Sequence, residues 1–386
     1  MENKKLVFEF YKRKWKLFFR SIRMRVFRLI HDKGIGNIEI GEDFIREKNI
    51  KKIAVVTTSD RIGDLLVKTP IFREIKKKDP NIKISLLVKN SSAKDIVIYN
   101  KNIDEFIEYD KKNLNKIAKK IKSENYDLMV HLTNEIKESD LKFIKKCSVK
   151  YLFGMNKKDW KIFNITVEEG IEVKRDAHIS QITKLILSKF GIKNADVMYD
   201  LYLDEDREKK VKELKKEFAD EKVIVINPYS AKEYRSFNLE SIKKILEITK
   251  DYKRILLYYG NKDEELRKIA KNYTNVIVPE EINSILDSVV YIKIADLVIT
   301  PDTGIVHISS ICNKKLIVVY ASPKKETSEI IDYKVWAPLS EQWRGLYINT
   351  KNVVCGFNHK NIDINNVDFS ELEITIREYC LKKTEK

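Results

Sequence analysis

The feature that most constrains this chain is a recurring order of buried strand, polar loop and amphipathic helix. Ile50-Lys-Lys-Ile-Ala-Val-Val-Thr-Thr58 reads as a strand after a charged lead-in. Its apolar run does not alternate, as expected where both faces of a parallel sheet are covered. Ser59 to Gly63 forms a loop, and Asp64 then opens a helix with apolar positions Leu65, Leu66, Pro70, Ile71 and Ile75. Further strands are predicted at 82–88, 105–109 and 127–132, and a helix near 179–190 closes this half. After a charged helix at 204–220 the rhythm restarts. A strand at 222–227 is followed by a helix at 239–249 and a strand at 254–259 ending at Gly260. Strands at 296–300 and 316–320 flank a helix from Thr303 to about Cys312, and 366–383 reads as helical.

The predicted class is therefore α/β, with two Rossmann-like domains at 51–205 and 206–345. A segment at 1–50 precedes them and a tail at 346–386 follows. Two such domains face a cleft at the carboxyl ends of their sheets, where ligands bind. The length of 386 residues suits this division, since domains usually run to about 100–200 residues. No repeat with a solenoid period is present.

Lys and Arg total 75 against 58 Asp and Glu, a net charge of +17. That surplus points to an anionic partner: nucleic acid, phospholipid or a phosphorylated small molecule. Residues 1–33 hold eleven Lys and Arg but three acids, so almost half of the surplus sits there. On a helix, Tyr11, Trp15, Phe18, Phe19, Ile22, Val26, Leu29 and Ile30 share one stripe, with Arg and Lys around the rest; Gly34 and Gly36 end the pattern. Such a segment suits an anionic membrane interface. A helix docked on the body and a nucleic-acid arm are the competing readings. The chain contains no recognised nucleic-acid motif, so no nucleic-acid partner is expected.

Four cysteines, Cys147, Cys312, Cys355 and Cys380, show no C-x-x-C spacing. Zinc and thioredoxin-like chemistry lose their support, and a reducing cytoplasm is the expected compartment. No apolar run approaches ~18 residues, so no transmembrane helix is expected. Charges interrupt every apolar stretch near the start, so no secretory signal is expected either.

Three loops follow predicted strands and lead into helices. The first is Ser59-Asp60-Arg61-Ile62-Gly63-Asp64. Gly63 permits a tight turn or close backbone approach. Asp64 is placed to act as a general base, or simply to cap its helix. The second runs from Asn227 to Glu240. Ser230, Lys232 and Arg235 offer it a hydroxyl and two cations for an anion, unless it is only a polar loop. The third is Asp302-Thr303-Gly304-Ile305-Val306-His307. Backbone N–H groups of Thr303 and Gly304 at a helix N-terminus make a ready anion site. The plainer alternatives are Asp302 as a cap and His307 as a satisfied core histidine. Neither G-x-G-x-x-G nor G-x-x-x-x-G-K-[ST] occurs, so dehydrogenase and P-loop readings lose their main support.

Taken together the loops resemble a family. Ile62-Gly-Asp-Leu-Leu-Val-Lys-Thr-Pro70 is similar to the strand–loop–helix opening of bacterial heptosyltransferases, glycosyltransferase family 9. Ala295–His307, a hydrophobic strand running into Asp-Thr-Gly-x-x-His, resembles that family's most specific signature, and Asn227–Glu240 its phosphate loop. The resemblance runs in order from about residue 51 to the end. It implies a GT-B fold and an inverting, metal-independent glycosyl transfer without a cofactor. Asp64 matches the family's base. Ser230 and Arg235 match its phosphate contacts, and Asp302, Thr303, Gly304 and His307 its nucleotide-sugar block. The implied donor is ADP-heptose. The implied acceptor is the lipid-linked core of lipopolysaccharide at the cytoplasmic face of the inner membrane. One departure is visible: Arg235-Ser-Phe-Asn238 stands where the family usually has Lys-x-Trp-Pro. A transferase using another nucleotide sugar for a surface polysaccharide is the alternative, and a basic nucleic-acid-binding protein is a more distant one.

Overall fold

The computed structural model describes residues 15, 18–19, 21–57, 59, 61–89, 92–133, 136–174, 176–260, 262–321, 332–348 and 363–381. Two six-stranded parallel sheets organise them. The first holds β1 (Lys52–Val56), β2 (Lys83–Val88), β3 (Glu105–Glu108), β4 (Leu128–His131), β5 (Tyr151–Met155) and β6 (Ile165–Val167), in the order β3-β2-β1-β4-β5-β6. The second holds β7 (Val223–Ile226), β8 (Lys253–Leu256), β9 (Val276–Ile277), β10 (Leu297–Pro301), β11 (Lys315–Tyr320) and β12 (Trp343–Tyr347), in the order β12-β11-β10-β7-β8-β9. The two orders are one topology used twice. In each sheet the direction of winding reverses between the first and fourth strands in sequence, β1 and β4 or β7 and β10.

The strands at these reversals are the apolar runs read from the sequence. Ala54 to Val56, Val223 to Ile226 and Leu297 to Ile299 are all buried, because helices cover both faces. Outside the carboxyl ends of such paired strands the loops part and leave a crevice. The loops after β1, β7 and β10 are the three singled out above, so the topology brings all of them to the two crevices.

Helix ends are set by local chemistry. Asn238 accepts a bond from Ser241 N at 2.8 Å and starts the helix Leu239–Ile248. Ser284 and Asp287 form a capping box before Ile285–Ile294. The helix Phe369–Leu381 packs on Leu239–Ile248 and β12, and Ile364, Val367, Leu372 and Ile376 join the second domain's core.

Residues 21–31 are helical. Phe27 packs against the first domain, and the Arg28 guanidinium lies 4.6 Å from the centre of the Trp160 ring. Asp32, buried at the helix end, accepts from Arg28 Nε at 3.0 Å and from Ile162 N at 2.9 Å. The docked face is not the apolar stripe. Trp15, Phe18, Phe19, Ile22, Val26, Leu29 and Ile30 are all exposed, Leu29 to 77%. At 100° per residue, Phe27, Arg28 and His31 lie on the side opposite that stripe. Tyr11 lies outside the described residues. No helix among the described residues is long and apolar enough to cross a membrane.

Candidate active site

The helix after β1 begins at Ile62, two residues before Asp64, and Arg61 occupies its N-cap without a side-chain bond. Asp64 is therefore in the first turn and does not cap. Its Oδ2 instead accepts a short hydrogen bond from Ser59 Oγ, which itself accepts from Arg61 N at 3.2 Å. The hydroxyl fixes the carboxylate from the loop side. One turn later Lys68 donates to Thr57 Oγ1 at the end of β1, at 3.1 Å.

The third loop has the same shape in the second domain. Thr303, not Asp302, caps the helix Gly304–Ile311, its Oγ1 accepting from Ile305 N at 3.3 Å. Asp302 is thereby released for other work, and its Oδ2 accepts from Arg235 Nη1 at 3.4 Å. Asn227, at the end of β7, donates to Thr300 Oγ1 at 2.8 Å and Thr303 Oγ1 at 3.3 Å. The loops after β7 and β10 are thus tied together by Asn227 and by the Arg235–Asp302 pair. Ser230 braces its loop: its N–H donates to Ser236 Oγ at 3.0 Å, and Tyr259 Oη, from the segment after β8, donates to its carbonyl at 2.8 Å. Phe237 is buried in the core and Asn238 is a helix cap. Of the departures in this loop, only Arg235 carries a charge, and it pairs with Asp302.

The first and third loops meet across the cleft. A Cβ added to Gly63 would stand 2.8 Å from His307 Cδ2, and one added to Gly304 would stand 3.1 Å from Ile62. Both glycines let two helix N-termini from different domains abut. His307 is buried, with its ring edge-to-face on Tyr199 and Trp336 at 5.6 and 6.2 Å. Its Nδ1 has no hydrogen-bond partner among the described residues, so it is not a satisfied core histidine. Burial, and then nearby His178, push its pKa down to about 4 against the pull of Asp64. His178 joins the domains, its Nε2–H donating to Ala337 O at 2.9 Å.

All seven residues singled out in the sequence thus lie on the loops and helix ends at the two crevices. Gly63, the residue before Asp64, abuts His307, while Arg235 and Asp302 pair beside Thr303. Sequence reasoning gave no role to Lys68, His178, Tyr199 or Trp336. Each contributes only through contacts that the folded chain creates. Among the described residues no group of three or more His, Cys, Asp or Glu is placed to hold a metal ion.

Two Rossmann-like domains of one doubled topology, meeting at loops that follow their strands, define a GT-B-like fold. Residues 114–353 match the model of glycosyltransferase family 9 (heptosyltransferase), and the chain belongs to that family. It is 25% identical over 302 residues to an Escherichia coli (strain K12) protein provisionally named lipopolysaccharide heptosyltransferase 4, covering 75% of this chain and 79% of that one. Among solved structures it resembles the family 9 glycosyl transferase from Veillonella parvula DSM 2008, with a TM-score of 0.68, 15% identity, and 90% and 100% of the two chains covered. It also resembles E. coli ADP-heptose lps heptosyltransferase II, with a TM-score of 0.63, 14% identity, and 86% and 98% covered. E. coli heptosyltransferase WaaC with ADP gives a TM-score of 0.61 at 13% identity, with 85% and 99% covered. The fold is accordingly GT-B-like, and the protein is a glycosyltransferase.

Proposed function

We propose that this enzyme transfers heptose from ADP-heptose to a saccharide of the lipopolysaccharide core, with inversion and without a metal ion. The observation that carries the reading is the state of Asp64. It is freed from capping, oriented by Ser59, and set beside the N-terminus of the helix Gly304–Ile311 from the other domain. In this reading Asp64 takes the proton from the acceptor hydroxyl as its oxygen bonds to the anomeric carbon. The bond from that carbon to the diphosphate breaks, and ADP leaves with the electron pair. Arg235, the Ser230 hydroxyl and the N–H groups of Thr303 and Gly304 stabilise the charge that develops there. Asp302 holds Arg235 in place until the diphosphate arrives, and His307 packs behind the glycine contact as a neutral ring. The donor assignment draws on the relatives: WaaC has been solved with ADP and with ADP-2-deoxy-2-fluoro heptose.

The acceptor is lipid-linked in this reading, and residues 1–33 hold the enzyme at an anionic membrane surface, the cytoplasmic face of the inner membrane. The outward aromatic stripe and the surrounding Arg and Lys support it.

A second donor is favoured by one observation, the Arg at 235 where the family usually has Lys. A guanidinium forks onto two oxygens, while an ammonium acts as a point charge. A donor panel decides between them. Purified enzyme is given ADP-heptose, or UDP- and GDP-sugars, with core-truncated lipopolysaccharide, and the products are weighed by mass spectrometry. A heptose mass increment with ADP-heptose supports the reading. An increment only with another nucleotide sugar replaces it with the alternative.

A further inference from the structure

The helices Leu114–Ser123 and Glu138–Cys147 cover one face of the first sheet. Ile117 and Ile121 from one, and Leu141 and Ile144 from the other, are buried with Val56 and Met129 of the strands. With that side committed to the core, the polar positions turn outward. Lys116, Lys119 and Lys122 on the first helix and Lys142, Lys145 and Lys146 on the second are all exposed. Leu114–Ser123 contains no acid. The second helix contains two, and both are engaged. Asp140 is buried and accepts from Tyr109 Oη at 3.1 Å, and Glu138 pairs with Arg23 Nε at 2.6 Å. Lys120 turns back to pair with Glu105, whereas Lys116, Lys119, Lys122 and Lys145 make no ion pair among the described residues. Lys146 Nζ donates to Asn115 Oδ1 at 2.6 Å, so the two helices lie side by side and their outer faces form one surface. That surface continues onto the N-terminal helix, because Lys142 Nζ lies 5.2 Å from the centre of the Phe27 ring and Arg23 reaches Glu138.

A surface of one sign repels itself unless an anion offsets it. Its chemistry selects among anions. Neither helix carries an Arg, and their one aromatic ring, Phe143, is buried, so nothing there forks onto a base edge or stacks on a base. Lysine ammoniums are point charges on flexible stems, which suits a field of mobile lipid phosphates. Lys116 to Lys122 spans about 9 Å along the helix, comparable with a Debye length of ~8 Å, so these charges act on a surface together. The adjoining helix bears the exposed apolar stripe from Trp15 to Ile30, which a bilayer interface accepts and a polyanion in solution does not. We propose that the outer faces of Leu114–Ser123 and Glu138–Cys147 are a second membrane contact, a lysine platform for anionic phospholipid headgroups that holds the first domain against the bilayer. The inference rests on the membrane reading of residues 1–33 and adds to it a surface outside them. The stripe supplies apolar insertion, and the platform supplies charge and orientation.

The experiment is sedimentation of the full chain with phosphatidylcholine vesicles containing phosphatidylglycerol, from low to high salt. Three variants are compared with wild type. The first is K116Q/K119Q/K122Q/K145Q, and the second, K116R/K119R/K122R/K145R, keeps the charge. The third, K212Q/K216Q/K243Q/K250Q, makes the same change of net charge at exposed lysines of the second domain. Each basic residue near an anionic leaflet changes partitioning roughly fivefold, so the first variant should lose about tenfold or more and show a flatter salt dependence. Its melting temperature and ADP affinity should not change. The second and third variants should bind as wild type does. Wild-type partitioning by the first variant overturns this proposal, and release of W15S/F18S/F19S in the same assay leaves the reading of residues 1–33 standing. An equal loss in the third variant would reduce the effect to net charge and overturn the proposal too. Unchanged vesicle binding with lost binding of duplex DNA in the first variant would make the surface a nucleic-acid contact instead. No sedimentation of wild type with these vesicles overturns the membrane reading, and this one with it.

Discussion

Gly63 and His307 come from different domains, yet a single methyl group on Gly63 would come within 2.8 Å of the His307 ring. The ring cannot retreat easily, because Tyr199 and Trp336 pack against it. The neighbouring contact is nearly as tight, since a Cβ on Gly304 would stand 3.1 Å from Ile62. Domain contact and candidate active site are therefore the same surface. G63A should fold, because the clusters around Ile226 and Ile299 in the second domain and around Val56 and Met129 in the first do not include this contact, but it should prise the loops apart. Turnover should fall at least tenfold with little loss of thermal stability. Small-angle scattering of G63A should show a larger radius of gyration than wild type; an unchanged radius with full turnover would show that the contact is soft.

Asp64→Asn preserves shape and removes the basic oxygen. Loss of a general base costs about 10²–10⁴ in rate. Turnover should drop within that range while ADP affinity, measured by calorimetry, stays within a few fold. Because Arg61 and not Asp64 sits at the N-cap, the melting temperature should hardly move. A well-folded D64N with near-normal turnover would leave Asp64 without a chemical role.

Much of this site was legible in sequence. Long apolar runs such as Val223 to Ile226 and Leu297 to Ile299 announce central parallel strands, and the loops that follow them must lie at the cleft. β5, β6, β9 and β12 were not legible. β9 has two residues, β6 has three, and Trp343-Arg-Gly-Leu-Tyr347 is a half-exposed edge strand with a charge and a glycine inside it. Such strands form because a neighbour offers a free edge, which local sequence does not record. The same holds within the site. Asp-Thr-Gly-x-x-His is a local pattern, but Tyr199 against His307 spans 108 positions and exists only once the domains meet.

Diphosphate departure is assigned to protein cations and helix-end N–H groups, so turnover should persist in EDTA at the untreated rate within about twofold. Arg235→Ala should cost more than Arg235→Lys, since Lys retains the charge but not the fork. Both are read as kcat and as the affinity for ADP. A strict requirement for added Mg²⁺ or Mn²⁺ would refute this account of the leaving group.

Two buried imidazoles set an acid limit on stability. His131 and His307 are each pushed from the ordinary value near 6.5 to about 4, chiefly by burial. Unfolding lets both take up protons below pH ~6.5, so the unfolded state binds more protons than the native one. Their contribution is fully present above pH ~6.5 and is lost as pH falls toward 4. The melting temperature should therefore decline by several degrees across that window. H307Q should decline less steeply, one of the two titrating rings being gone. Parallel curves for wild type and H307Q would show that His307 does not stay neutral.

The N-terminal helix offers a test in which the structure changes the design of the variant. Removing all of residues 1–33 would delete Phe27, Arg28 and Asp32, which dock on Trp160 and Ile162, and would confuse lost attachment with lost stability. The stripe faces away from that contact, so Trp15, Phe18 and Phe19, each more than half exposed, are the residues to change. Their burial at an interface adds an apolar gain to the ~1 kcal/mol that each basic residue contributes near an anionic leaflet. A triple W15S/F18S/F19S variant should keep the wild-type melting temperature and ADP affinity. It should also keep activity on a short soluble acceptor, because the cleft loops are untouched. It should sediment at least tenfold less with vesicles containing phosphatidylglycerol, and wild type should release those vesicles as salt is raised, since screening weakens the basic contribution. Equal sedimentation of wild type and variant would mean that the exposed stripe meets something other than a membrane.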